Sequence, residues 1–257
     1  MSDIPDSHPR AKSLRLRERL VEGLHKGVVT ESGLVAHGRG EALDYLLGEQ
    51  THPFAERAIA AASALLTLAS HPVITLNGNV AALIGPELGP FAANHPHLVF
   101  EVNIFHYTAQ RAQCILAHLH ELGMDRALQF ASAAVPAVLP GLDSQRRFMH
   151  PDGVGRADVV LIPLEDGDRC QALVASGRKV IAIDLNPLSR TAVFAHITIV
   201  DELTRVLRTL DRRLLADRTV PRTDLERRLA EYDNEVTLRE AITAIRTGFA
   251  SSPEDLP

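Results

Sequence analysis

KVIAIDLNPLSRTA, residues 179–192, sets the fold class. Val180 to Ile183 form an unbroken apolar run, the pattern of a strand buried on both faces, as in a parallel sheet covered by helices. Asp184 ends the run, so Asp184, Asn186 and Arg190 collect at its carboxyl end, the edge where open parallel sheets bind ligands. Working outward, further strands read as VITL (73–76), LVFEVNIF (98–105), ALQF (127–130), DVVLI (158–162) and ITIV (197–200). Helical patterns separate them: VAALIGPEL, TAQRAQCILAHLHELG, RCQALVASG and a segment from Asp201. Strands spaced this way imply right-handed crossovers and an α/β, Rossmann-like, largely parallel sheet with flanking helices.

The two ends read as additional helices. Ser7 and Pro9 form a cap and first-turn pair, after which Leu16, Leu20 and Leu24 share one face until Gly27. A second, alanine-rich helix is expected from about Thr51 to Ser70. Residues 1–72 are therefore expected to form a helical region contributing to the active site and 73–218 the Rossmann-like core. Residues 219–257 are expected to form a C-terminal extension of two charged helices and a frayed tail, within a single domain overall.

The 257 residues carry a net charge of -5 with both signs interspersed, which argues against a nucleic-acid-binding field. Cys114 and Cys170 fall in helical stretches without C-x-x-C spacing, against a zinc site or disulfide framework and in keeping with a reducing cytosol. The N-terminus lacks a signal peptide's apolar segment, no run is long enough to span a bilayer, and the twelve histidines show no metal-binding spacing.

No P-loop is present, and HGRGEALDYLLG fails as a dinucleotide fingerprint because no strand precedes it. HGRGEA (37–42) sets Arg39 between two glycines, so that backbone can approach a ligand while a guanidinium faces an anion; Arg39 pairing with Glu41 or Asp44 is the plainer reading. NGNVAAL (77–83), with Asn77, Gly78 and Asn79, follows a strand and opens a helix. It can cradle a phosphate or serve as an ordinary turn. PLEDGDR (163–169) crowds Glu165, Asp166, Asp168 and Arg169 into one turn, where Asp168 could simply cap the next helix. Arg17, in RLRERL, has a solvated helix face as its default reading.

In order along the chain, IPDSHPRAKSLRLRERLVEGL, GLVAHGRGEALDYLLGE, VITLNGNVAAL, EVNIFHYT, ADVVLIPLEDGDRCQALVASGRKVIAIDLNPLSRTA and ITIVDELTR resemble the archaeal phosphopantothenate synthetase family, the 4-phosphopantoate–β-alanine ligases. The resemblance covers roughly residues 1–210. It implies ATP-dependent joining of 4-phosphopantoate to β-alanine in coenzyme A synthesis, with release of AMP and diphosphate, by a cytoplasmic homodimer. Magnesium is expected with ATP, held mainly by phosphates and water and by one carboxylate at most. By the same resemblance, Arg17, Arg39, Asp184, Leu185, Asn186, Arg190 and Thr191 are the ATP-binding positions. Tyr107 stands where the family usually has an arginine, with His106 or Arg111 as the compensating cation.

Such chemistry needs several arginines for two polyanions and a carboxylate to bind and deprotonate the β-alanine ammonium. Glu101, Glu165, Asp166 and Asp168 are the candidate bases; Asn77, Gly78, Asn79, Asn103, His106, Arg111 and Arg169 are candidate substrate contacts. A redox enzyme, a small-molecule kinase releasing ADP, and a nucleotide sensor without turnover are the alternatives.

Overall fold

A computed structural model describes residues 4, 5, 7, 8 and 10–248. Three helices come first: α1 (Ala11–His25), α2 (Glu31–Leu46) and α3 (Pro53–Leu68). Alternation then begins with β1 (Pro72–Leu76), α4 (Gly78–Asn94), β2 (Val99–Val102), α5 (Ala109–Glu121) and β3 (Ala127–Gln129). An excursion carries the short antiparallel pair β4 (Ala137–Val138) and β5 (Phe148–Met149). The alternation resumes with β6 (Val159–Pro163), α6 (Gly167–Ala175), β7 (Lys179–Ile183), α7 (Arg190–Phe194), β8 (Ile197–Ile199) and α8 (Leu203–Asp217), before α9 (Arg222–Ala230) and α10 (Asn234–Thr247).

The main sheet is parallel throughout, in the order β3-β2-β1-β6-β7-β8. Strand order reverses between β1 and β6, and in doubly wound sheets that reversal opens a crevice at the carboxyl edge. The strands are apolar because both faces are covered: β1 and β6 are buried at every position, and β7 at all but Lys179. On one face α4 packs with α1, α5 and α8 around Leu76, Leu83, Phe100 and Leu207. On the other, α6 covers Val73, Val160 and Val180 with Cys170 and Leu173.

Several local expectations change. Pro9 lies outside the described residues, as does the tail from residue 249; Ser7 sits in a turn, and α1 starts at Ala11 with no side-chain cap. HGRGEA, given no element from the sequence, is helical: Thr30 caps α2 by accepting from Gly33 N at 3.2 Å and the helix runs through both Gly38 and Gly40. The α3 helix is shorter than expected because Pro53 starts it and frees Thr51 to donate to Asp201 at 2.6 Å. Asp168 is not the cap of α6: it lies in the first turn, and the cap position belongs to Asp166. The C-terminal helices pack on α3, α7 and β8, where Arg228 pairs with buried Asp217 and Asn234 donates to the Ala192 and Ala195 carbonyls.

Candidate active site

A cavity of about 710 Å³ lies over the reversal point, floored by the turns after β1, β2 and β6 and walled by α1 and α2. Asn77 joins the two strands at the reversal. Its Oδ1 caps α4 by accepting from Val80 N at 3.0 Å, while its Nδ2 donates to the Pro163 and Leu164 carbonyls at 3.2 and 3.0 Å. Leu164 adopts a left-handed conformation, φ 51°, which costs about 1 kcal/mol and is held in this tied turn. Gly78 is required by a close approach, since a Cβ there would overlap the Val28 carbonyl. A Cβ on Gly33 would overlap Asn79 Oδ1, so α2 docks on the first turn of α4, where Asn79 Nδ2 donates to Gly33 O at 2.8 Å. Asn77 takes up the Val80 and Ala81 amides, and the first two N–H groups of α4, on the cavity-lining Gly78 and Asn79, point out of the helix start.

Most charges around the cavity are matched. Glu41 accepts from Ser13, Arg10 and Arg17; burial pushes its carboxyl up, but Arg17 and Ser13, with His37 nearby, outweigh burial and hold it below the usual range. Lys12 pairs with Glu202 at 3.1 Å, and Arg205 joins Asp44 to Asp201. Arg146, almost fully enclosed, pairs with Glu165 and with Asp166, the latter at 2.6 Å. Two guanidiniums differ. Arg39 is exposed on the cavity wall and has no ion-pair partner among the described residues. Arg111 donates to the His106 carbonyl at 3.0 Å and toward that of Val28 at 3.4 Å; its Nε has no partner, and burial lowers its pKa.

The structure brings Arg39, the whole 77–79 turn, Asn103, His106 and Arg111 to this cavity, with Glu165 and Asp166 from the acidic turn and Leu185 from the 184–186 junction. The side chains of the other candidates are engaged elsewhere. Asp184 accepts from Asn186 N at 2.9 Å and from the Ser189 hydroxyl, and burial raises its pKa. Asn186 accepts from Leu188 N at 3.0 Å, Arg190 donates to Gln171 at 2.9 Å, and Thr191 donates to the Glu165 carbonyl at 2.8 Å. These bonds build the turn into α7 and its contact with α6. Arg17 is held by Glu41.

Glu101, fully buried, accepts from His150 N at 3.2 Å and Val154 N at 2.7 Å, and burial pushes its carboxyl up to about 6. That carboxylate holds the excursion after β3 instead of facing the cavity. Arg169 is fully buried against Glu165 at 2.8 Å, with burial bringing its pKa down to about 10. Asp168 accepts from Arg169 N at 2.8 Å at the start of α6. Tyr107 faces away from charge, its hydroxyl accepting from Gln129 at 3.0 Å and its ring lying 4.7 Å from that of Phe130.

Sequence reasoning passed over His37, which lines the cavity with an unpartnered Nε2, and the Arg205 and Arg146 clusters. Gly33, His37, Gly40 and Asp44 follow a helical period on α2, a signal for one cavity-facing stripe once that segment is read as helix. Arg146, in an irregular excursion, carries no such signal. Among the described residues no cluster of three or more His, Cys, Asp or Glu could hold a metal, and no helix is long and apolar enough to cross a membrane.

Residues 54–248 match the phosphopantothenate/pantothenate synthetase family. The chain is 44% identical over 255 residues to a 4-phosphopantoate–beta-alanine ligase of Thermococcus kodakarensis, an alignment covering 99% of this chain and 97% of the relative. It is 51% identical over 209 residues to the ligase of that name from Methanospirillum hungatei, covering 81% and 84%. A third, from Methanosarcina mazei, is 44% identical over 246 residues, covering 96% and 95%.

Proposed function

The chain belongs to the phosphopantothenate/pantothenate synthetase family, and from that premise we propose that it is an ATP-dependent ligase condensing 4-phosphopantoate with β-alanine in coenzyme A synthesis. The observation that carries the reading at the level of the site is the pair of guanidiniums without carboxylate partners, Arg39 and Arg111, on a cavity whose other cations are matched. Two polyanionic substrates call for two such centres. Arg39 serves the ATP phosphates. Arg111, beside Gly78 at the start of α4, serves the phosphate of 4-phosphopantoate together with the free N–H groups of that helix.

In the proposed chemistry the phosphopantoate carboxylate attacks the α-phosphorus of ATP, and the bond to diphosphate breaks. The β-alanine amine then attacks the acyl carbon, and AMP leaves with the bonding oxygen. Before that attack the ammonium must lose a proton. Of the four candidate carboxylates, Asp166 both lines the cavity and keeps its side chain 60% exposed, so it is the group to hold the ammonium and accept its proton. Magnesium fits as a counter-ion carried on the ATP phosphates, because among the described residues no cluster of three or more His, Cys, Asp or Glu could hold it. A homodimer is part of the proposal, and the exposed Leu188, Val193 and Phe194 around α7 supply apolar surface for one.

The test is the nucleotide product formed with ATP, 4-phosphopantoate and β-alanine, with hydroxylamine replacing the amine in a parallel reaction. AMP, diphosphate and a hydroxamate in equal amounts are expected. ADP rising with amide formation moves the protein to the acyl-phosphate ligases, and nucleotide binding without turnover removes the catalytic reading.

A further inference from the structure

Leu76 and Val102 are register partners in β1 and β2, so Asn77 and Asn103 leave their strands side by side, roughly 5 Å apart. Asn103 N donates to Leu76 O at 2.9 Å, which fixes that placement. Asn103 lines the cavity and is 4% exposed. Its Nδ2 donates to the Phe148 carbonyl at 3.5 Å, leaving Oδ1 as an enclosed acceptor with no partner. A buried amide oxygen left unpaired opposes folding, so a donor belonging to a ligand is the natural partner for it.

Three donors are available among the proposed substrates: adenosine, the β-alanine ammonium and the hydroxyl of phosphopantoate. Position argues against the first. Gly40, next to Arg39, lies 3.6 Å by its would-be Cβ from Leu185 beyond β7, on the opposite side of the reversal point from β2. Charge argues against the second, because Asn103 shares its part of the floor with Arg111 and a neutral amide is a poor ammonium ligand beside a guanidinium. The third fits. A phosphate at the start of α4 leaves the hydroxyl, three carbons along the chain, within reach of the neighbouring strand end.

We infer that Asn103 Oδ1 accepts the hydroxyl on the carbon next to the substrate's carboxylate, and so makes the enzyme select a 2-hydroxy acid over its 2-deoxy or 2-oxo counterpart. The inference rests on the reading of the acid substrate as 4-phosphopantoate. It assigns a specificity role, since Asn103 touches a group that does not react.

The experiment compares kcat/KM for 4-phosphopantoate and for 3,3-dimethyl-4-phosphobutanoate, which lacks the hydroxyl, in the native enzyme, Asn103→Leu and Asn103→Asp. Native enzyme should prefer the hydroxylated acid about 10- to 100-fold, the range set by leaving one buried acceptor unpaired. Asn103→Leu should lose that factor on 4-phosphopantoate alone, with KM for ATP unchanged. Asn103→Asp, which keeps an oxygen in place, should retain the preference. Equal activity of native enzyme on both acids overturns the inference without any variant, so a failure of Asn103→Leu to fold does not shield it. Equal losses on both acids, or a rise confined to KM for β-alanine, also overturn it. No amide from 4-phosphopantoate in the native enzyme overturns the functional reading itself, and the inference with it.

Discussion

The turn after β1 and the turn after β6 face the same cavity, lead from a strand into a helix, and are bridged by Asn77. They differ in what they leave unused. After β1 the side chains are neutral, and Asn77 spends its amide on backbone groups while the helix start and Arg111 beside it carry no matching carboxylate. After β6 enclosed Glu165 is matched by Arg146, from the excursion between β3 and β6, and by Arg169 of α6, and only Asp166, on the exposed edge of the same cluster, faces the cavity with room to act. An unmatched helix start beside an arginine without a carboxylate partner can receive an anion, whereas the charge of enclosed Glu165 is already met by two buried arginines. Having a chemically suitable residue is therefore different from having one available.

Removing Arg146 is the strongest attack on that contrast. Arg146→Ala leaves Glu165 enclosed with one cation fewer and should lower stability by roughly 3–5 kcal/mol, read from chemical denaturation. Native stability in Arg146→Ala would mean that enclosed Glu165 needs no second cation and would erase the distinction. On the open side, Arg39→Lys keeps the charge but loses the planar fork. It should raise KM for ATP about 10- to 100-fold with little change in melting temperature, since Arg39 has no described ion-pair partner to strand. Unchanged ATP affinity would remove Arg39 as the phosphate clamp.

Glu101 offers a pH test of the matched side. Burial raises its folded pKa to about 6 from an unfolded value of 4.5, so the folded state holds the proton more tightly. Its contribution to stability is full below the unfolded value and is lost as pH rises through about 6, a change of about 2 kcal/mol. Glu101→Gln should flatten the stability profile in that window; a native profile rising there would contradict the assignment. The smallest effect is expected at the junction after β7. Asp184→Ala removes acceptors for Asn186 N and the Ser189 hydroxyl and should cost about 1–2 kcal/mol of stability. A specific loss of ATP affinity at native stability would instead return Asp184 to the site.

Much of the sheet was legible because its signal is local and repeated. Val180 to Ile183 and Val159 to Ile162 are apolar at every position, as strands covered on both faces must be, and the helical segments between them imply parallel pairing. The 77–79 turn was legible for a similar reason: strand end, cap and helix start lie within a few residues. The bases were not legible. Glu101, Glu165, Asp166 and Asp168 are equally plausible as residue types, but one holds amides 49 and 53 residues away and another meets an arginine 19 residues away. Arg39 shows the mixed case, since its flanking glycines drew attention to the segment as a place of close backbone approach, while the helical course of α2 through both of them was not read.

The amino-acid sequence by itself determined the element order, the parallel sheet and the edge on which polar residues gather, because those follow from periodicity and short-range caps. Which of those residues remain unmatched was decided by tertiary structure alone. An ion pair forms wherever the fold brings opposite charges within about 4 Å, and that proximity is set by strand order and by the path of the 130–156 excursion, neither of which leaves a periodic trace along the chain.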